Sequence, residues 1–144
     1  MSLSRDELKA VLIDNKNIAI VGVSKSSERD SNIVAKYMIQ NGYKIIPINP
    51  TANKILGLGS YKNLLEIPEH IHRKLDMVNI FRPSQDVPSI VDQAIDLKRM
   101  YGKPHVIWMQ LNISHSEAAE KGRREGFTVI MDKCLKIEHE RMNK

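Results

Sequence analysis

Residues 17–31, NIAIVGVSKSSERDS, constrain this chain more than any other stretch. Ile18-Ala19-Ile20-Val21 has the length and β-branched content of a strand buried on both faces, and Gly22 ends it where the backbone must turn. A helix is expected to open near Ser31 or Asn32. Strand, Gly-x-Ser loop and helix start together form a phosphate cradle, because free backbone N–H groups and the positive helix end both attract an anion. Of the dinucleotide fingerprint G-x-G-x-x-G, only the first glycine stands here, in Gly22-Val23-Ser24-Lys25-Ser26-Ser27. Ser24 takes the place of the second glycine and brings a hydroxyl donor, while Lys25 and Arg29 add positive charge. The same stretch also reads as an ordinary strand-to-helix loop with solvated polar residues.

Beyond this loop, apolar runs and amphipathic segments alternate. Strands are expected over 43–48, 77–81, 105–111 and 127–131, with helices over 31–40, 84–100, from the Ser114 capping box to about 124, and over 135–142. Two capping boxes, Ser4 to Glu7 and Ser114 to Glu117, mark further helix starts. Residues 51–69 carry no strong periodicity and read as an irregular crossover with a short helical turn at 61–66. This alternation specifies a parallel sheet with helices on both faces.

A chain of 144 residues fills one domain and leaves no room for a cofactor domain plus a separate catalytic one. No apolar run approaches the length of a membrane span, and no signal-peptide pattern is present, so a cytoplasmic protein without a membrane partner is expected. A single cysteine, Cys134, agrees with a reducing compartment. The net charge of +5, from 22 Lys and Arg against 17 Asp and Glu, is spread over many segments without interleaved aromatics. That pattern disfavours nucleic acid and suits a small polyphosphate.

In open α/β sheets ligands bind outside the carboxyl ends of the strands. The second strand ends in Asn49-Pro50, where a dinucleotide dehydrogenase usually carries an acidic residue for the ribose hydroxyls. That argues against NAD, and Pro50 stiffens a wall on which an adenine can lie. The third strand ends in Phe81-Arg82-Pro83; Arg82 is placed either to pair with a phosphate or to neutralise Asp86. At the end of the fourth strand Gln110 is a ligand candidate, and Trp108 on the same face reads as core. His70 and His72 read as surface histidines without further ligands at metal spacing, so no metal site is expected.

Five segments, IVGVSKSSERDSNIVAKYM, IPINP, VNIFRPSQDVP, IWMQLNI and VIMDKCLKIEHERM, resemble the small single-domain CoA-binding proteins. The nucleotide domain of that family is similar to that of the succinyl-CoA synthetase α-subunit. The resemblance implies a Rossmann-like three-layer sandwich, with a five-stranded parallel sheet in order 3-2-1-4-5 and CoA at the switch point between the first and fourth strands. It further implies that Gly22, Ser24 and Lys25 cradle the pyrophosphate, with Arg29 and Ser31 adding contacts. Asn49 and Pro50 would border the adenosine, Phe81, Arg82 and Pro83 would form a wall, and Gln110 would lie near the pantetheine path.

The ligase subunit's phosphorylated histidine belongs to a second domain that has no counterpart in these 144 residues, and no nucleophile motif is recognised, so no catalytic residue is assigned. The expected function is a non-catalytic carrier, sensor or regulator that binds CoA or acyl-CoA, acting as a homodimer or through another protein. The alternative is an enzyme, either an NAD(P)-dependent oxidoreductase or a CoA-dependent catalyst using Cys134. Lys133 and a following helix start are surroundings that favour a reactive thiolate, whereas burial as a small apolar residue would leave Cys134 inert.

Overall fold

β1 (Asn17–Val21) lies inside the sheet, paired in parallel with β2 (Lys44–Ile48) on one side and β5 (Met77–Ile80) on the other. Its β-branched side chains are needed because both of its faces are covered. In this computed structural model, which describes residues 3–143, the sheet continues through β6 (Val106–Met109) and β7 (Thr128–Ile130), all parallel.

Alternation along the strands divides the core in two. Ile18, Ile20, Met77, Trp108 and Ile130 face α1 (Arg5–Asp14), α2 (Asp30–Gln40) and α6 (Leu135–Met142), meeting Leu12, Val34, Met38 and Leu135. Ala19, Val21, Val78, Ile80, Ile107 and Val129 face α4 (Val87–Tyr101) and α5 (Ser116–Arg124), meeting Val87, Val91, Ala94 and Ala119. The result is the expected three-layer, Rossmann-like α/β architecture.

The strand order corrects the expected 3-2-1-4-5. Counting the five strands of the main sheet, it is 2-1-3-4-5, with the third strand, β5, beside β1 rather than outside β2. Pro47 gives a physical reason. Its carbonyl faces the outer edge of β2 and accepts from the Tyr61 amide at 3.1 Å. The nitrogen on that same edge carries no hydrogen, so a full ladder cannot form there, and proline is confined to edge strands. Tyr61 makes only an isolated bridge with Ile48. A short hairpin of β3 (Lys54–Ile55) and β4 (Leu58–Gly59), unforeseen in the irregular crossover, lies beside this edge. The switch point accordingly falls between β1, which leads to a helix on one face, and β5, which leads to a helix on the other.

Helix starts follow local chemistry. Ser4 and Glu7 form the reciprocal capping box at 3.1 and 2.9 Å, and these bonds hold the Glu7 carboxyl below its ordinary range. The expected box at Ser114 is not used: α5 starts one residue later than that box requires, with His115 as cap and its Nδ1 accepting from the Ala118 amide at 3.1 Å. Ser114 instead donates its amide to Ser84 Oγ.

Candidate functional site

The carboxyl ends of β1, β2, β5 and β6, with the loop from β1 into the first turn of α2, carry the candidate ligand residues read from the sequence, and Cys134 follows β7. At the end of β1, Gly22 has φ of +92° and donates its amide to the Ile48 carbonyl at 2.9 Å. A Cβ on Gly22 would lie 2.9 Å from the Phe81 carbonyl oxygen and 3.0 Å from Arg82 Cδ. The glycine thus permits both the turn and the close approach of β1 to the end of β5.

The loop that follows is braced from within. Ser31 Oγ accepts from the Ser24 amide at 2.9 Å, Ser24 Oγ accepts from the Ser26 amide at 3.0 Å, and Asn32 Nδ2 donates to the Ser24 carbonyl at 2.8 Å. Both hydroxyls accept in these bonds, so each keeps its own proton for another partner. Asn32 escaped sequence reasoning; its signal was a polar residue at an inward helical position, and it is buried. Helix α2 has Arg29 as its N-cap residue, with no side chain capping the first turn. Lys25 and Arg29 are exposed, and neither takes part in an ion pair among the described residues. Two unpaired cations thus stand beside uncapped helix N–H groups, a combination that suits a polyphosphate.

Asn49 acts as a bracket between loops. Its Nδ2 donates to the Val23 carbonyl at 3.0 Å, while Oδ1 accepts from the Thr51 and Ala52 amides, each at 2.9 Å. The side chain ties the β1 loop to the β2 loop, a task a carboxylate cannot perform because it has no donor. Pro50 is exposed beside it.

At the end of β5, Arg82 pairs with Asp86 at 2.9 Å, so of the two partners open to it from sequence the intramolecular one is occupied. The pair is largely exposed, at 48% and 37% of the side chains, and therefore easily exchanged for another anion. Phe81 is half-buried, its amide donating to the Val21 carbonyl at 2.8 Å, and Pro83 opens the short turn Ser84–Asp86.

Gln110 is 95% buried by its 5% exposure, at the end of β6. Its Oε1 accepts from the Leu135 amide and from Asn79 Nδ2, both at 3.3 Å. A backbone N–H can only donate, so the Leu135 contact fixes the orientation of the Gln110 amide, which in turn fixes that of Asn79. Asn79 Nδ2 also reaches the Trp108 carbonyl, and its Oδ1 is buried without a partner. Asn79 was missed in the sequence, although a lone amide within the apolar strand MVNI was the available signal. Gln110, Phe81 and Cys134 line one cavity of about 330 Å³ between the starts of α2 and α6. Cys134 is a partly exposed free thiol at the N-cap of α6.

The histidine pair needs one correction. His72 is buried, not at the surface: Nε2 lies 2.8 Å from the Leu64 carbonyl and the ring rests against Tyr101. His70 is exposed. Among the described residues no group of three or more His, Cys, Asp or Glu is placed to hold a metal ion, and no helix is long and apolar enough to cross a membrane.

A doubly wound parallel sheet with a glycine turn and a basic, uncapped helix start at its switch point, between the ends of β1 and β5, defines a Rossmann-like domain. The chain belongs to the CoA binding domain family, which it matches over residues 16–140. It is similar to the uncharacterized protein YneT of Bacillus subtilis, with 37% identity over 136 residues and 94% of each chain covered. A solved Pyrococcus horikoshii OT3 protein superposes with a TM-score of 0.89 at 33% identity, covering 99% of this chain and 94% of that one. The ADP-forming acetate–CoA ligase II of Archaeoglobus fulgidus is 35% identical over 78 residues, which is 53% of this chain and 11% of the ligase.

Proposed function

We propose that this chain is a non-catalytic CoA-binding module, a carrier, sensor or regulator that holds CoA or an acyl-CoA across the ends of its strands. The observation that carries the reading is the β1–α2 loop: Lys25 and Arg29 are exposed and unpaired, beside a helix start that no side chain caps. An anion there gains charge-assisted hydrogen bonds without displacing any internal partner. Membership of the CoA binding domain family supports CoA as the nucleotide.

In this reading the diphosphate lies against the Ser24–Ser31 loop, with the free hydroxyl protons of those two serines as donors. Arg82 turns from Asp86 to a phosphate, and Pro50 borders the adenosine. When bound, CoA supplies a thiol able to carry acyl groups. The residues of this chain bind and orient the ligand and leave bond making to other proteins. The absence of an acidic residue at Asn49 supports CoA over NAD, since the Asn49 amide is committed to the backbone on both its atoms.

Calorimetric titration of the ligand-stripped protein with CoA, NAD and ATP tests this. Micromolar binding of CoA, with NAD and ATP weaker, is expected. Tightest binding of NAD would overturn the reading in favour of an oxidoreductase.

A further inference from the structure

The cavity between α2 and α6 is larger and more apolar than a bare thiol requires. Ile33, Val34, Phe81, Ile113 and Ile137 contribute side chains to its walls. Ile33 and Ile137 remain 40% exposed, as if awaiting cover. In its lining stands the buried Gln110, whose two atoms differ in their commitments. Oε1 already accepts two bonds, from Leu135 and Asn79, whereas Nε2 has no protein partner among the described residues. What the cavity lacks is therefore a hydrogen-bond acceptor set on an apolar group.

We propose that this cavity receives the acyl end of a CoA thioester carrying a short apolar acyl group, with Gln110 Nε2 donating to the thioester carbonyl. The proposal rests on the CoA reading above and gives it a substrate class. Position agrees with chemistry. Asp30, in the first turn of α2 just past the basic loop, lines the same cavity. Strands lie about 4.8 Å apart, so the ends of β1 and β6 are separated by roughly two such steps, a span the pantetheine arm covers. A free thiol would gain little from walls of isoleucine, valine and phenylalanine, whereas each methylene buried there raises affinity about fourfold.

The test compares CoA with butanoyl-CoA by calorimetry, on the wild type and on Ile137→Asp. Position 137 is in the first turn of α6, where an acidic side chain favours the helix, so the variant is expected to fold. The wild type is expected to bind butanoyl-CoA at least ~tenfold more tightly than CoA, and Ile137→Asp to bring that ratio close to one. The carbonyl stretch of isotopically labelled butanoyl-CoA is expected to move to lower frequency on binding, reporting the Gln110 donor. If neither compound binds, both this proposal and the CoA reading fall. If CoA binds but butanoyl-CoA binds equally or more weakly, this proposal alone is overturned. An unshifted carbonyl would remove Gln110 from the thioester.

Discussion

Gly22 passes so close to β5 that a Cβ on it would sit 2.9 Å from the carbonyl oxygen of Phe81. This contact joins the two strands on either side of the switch point, and the Gly22 φ of +92° is one that side-chain-bearing residues rarely adopt. Gly22→Ala is therefore expected to destabilise the fold by roughly 2–4 kcal/mol, combining backbone strain with a contact against backbone that cannot move aside. Denaturant titration measures the loss. Calorimetry on the folded fraction should show weakened CoA binding as well, because relief of the clash displaces the phosphate loop.

Asn49→Asp keeps size and shape while removing the donor to the Val23 carbonyl. The two amides of Thr51 and Ala52 still find an acceptor, so the effect isolates the link between loops. A loss of about 1–3 kcal/mol is expected, because the carboxylate faces an unpaired carbonyl oxygen. Denaturation at neutral pH reads it. An unchanged midpoint would mean that the loops hold together without this amide.

Much of this arrangement was legible in the sequence. The run Ile18–Val21 and Gly22 located the inner strand β1 and its turn, and Ser4 with Glu7 located α1, because these signals are local. Strand order depended on pairing between distant segments. Even so, Pro47 within KIIPI marked β2 as an edge strand, and weighing its missing hydrogen would have excluded a strand outside it. The roles of Asn49, Asn79 and Gln110 were not legible. A side-chain amide advertises hydrogen bonding without saying to what, and only tertiary contact shows that Asn49 is committed to backbone while Gln110 keeps a free donor. The β3–β4 hairpin was hidden for a similar reason: its turn places Leu56, at φ of +54°, where Asn or Gly is customary.

The basic loop should show itself through salt. Lys25→Ala and Arg29→Ala are each expected to weaken CoA binding about fivefold, or ~1 kcal/mol, and to flatten its ionic-strength dependence. Arg82→Ala should shift stability by no more than about 0.5 kcal/mol, since its partner Asp86 is exposed and only four residues away. Its effect is expected on CoA affinity. Binding that ignores all three substitutions would move the phosphates elsewhere.

His139 provides a test by pH. Its Nδ1 lies 2.7 Å from the Tyr37 hydroxyl, and the rings of Tyr37 and Tyr43 meet it edge-on. Burial, reinforced by the nearby Lys16, pushes the imidazole below its ordinary value of 6.5. His105 is shifted the same way, by burial and then by Lys98 and Lys103. The unfolded chain therefore takes up protons first, and stability falls as pH drops below the unfolded value toward the lower folded one. Denaturant midpoints between about pH 7 and pH 5 should decline in the wild type and decline less in His139→Gln. Parallel slopes in the two proteins would exclude His139 as a source.

Cys134 lines the same cavity as Gln110 and is the one free thiol in the chain. If the pantetheine arm ends in that cavity, CoA disulfide should deliver a sulfur to it. The Cys134 thiolate would attack one sulfur of the disulfide, the CoA S–S bond would break, and one CoA would leave as its thiolate, giving a Cys134–CoA disulfide. Intact-mass measurement after incubation should show one CoA added to the wild type and none to Cys134→Ser. Exposure alone would produce the same adduct, so rate is the discriminating quantity. Oxidised glutathione, which lacks the nucleotide, is expected to react much more slowly at equal concentration, and added CoA should slow the CoA disulfide reaction by competing for the site. Equal rates for the two disulfides would mean that Cys134 is merely accessible and that the thiol end of CoA does not reach it.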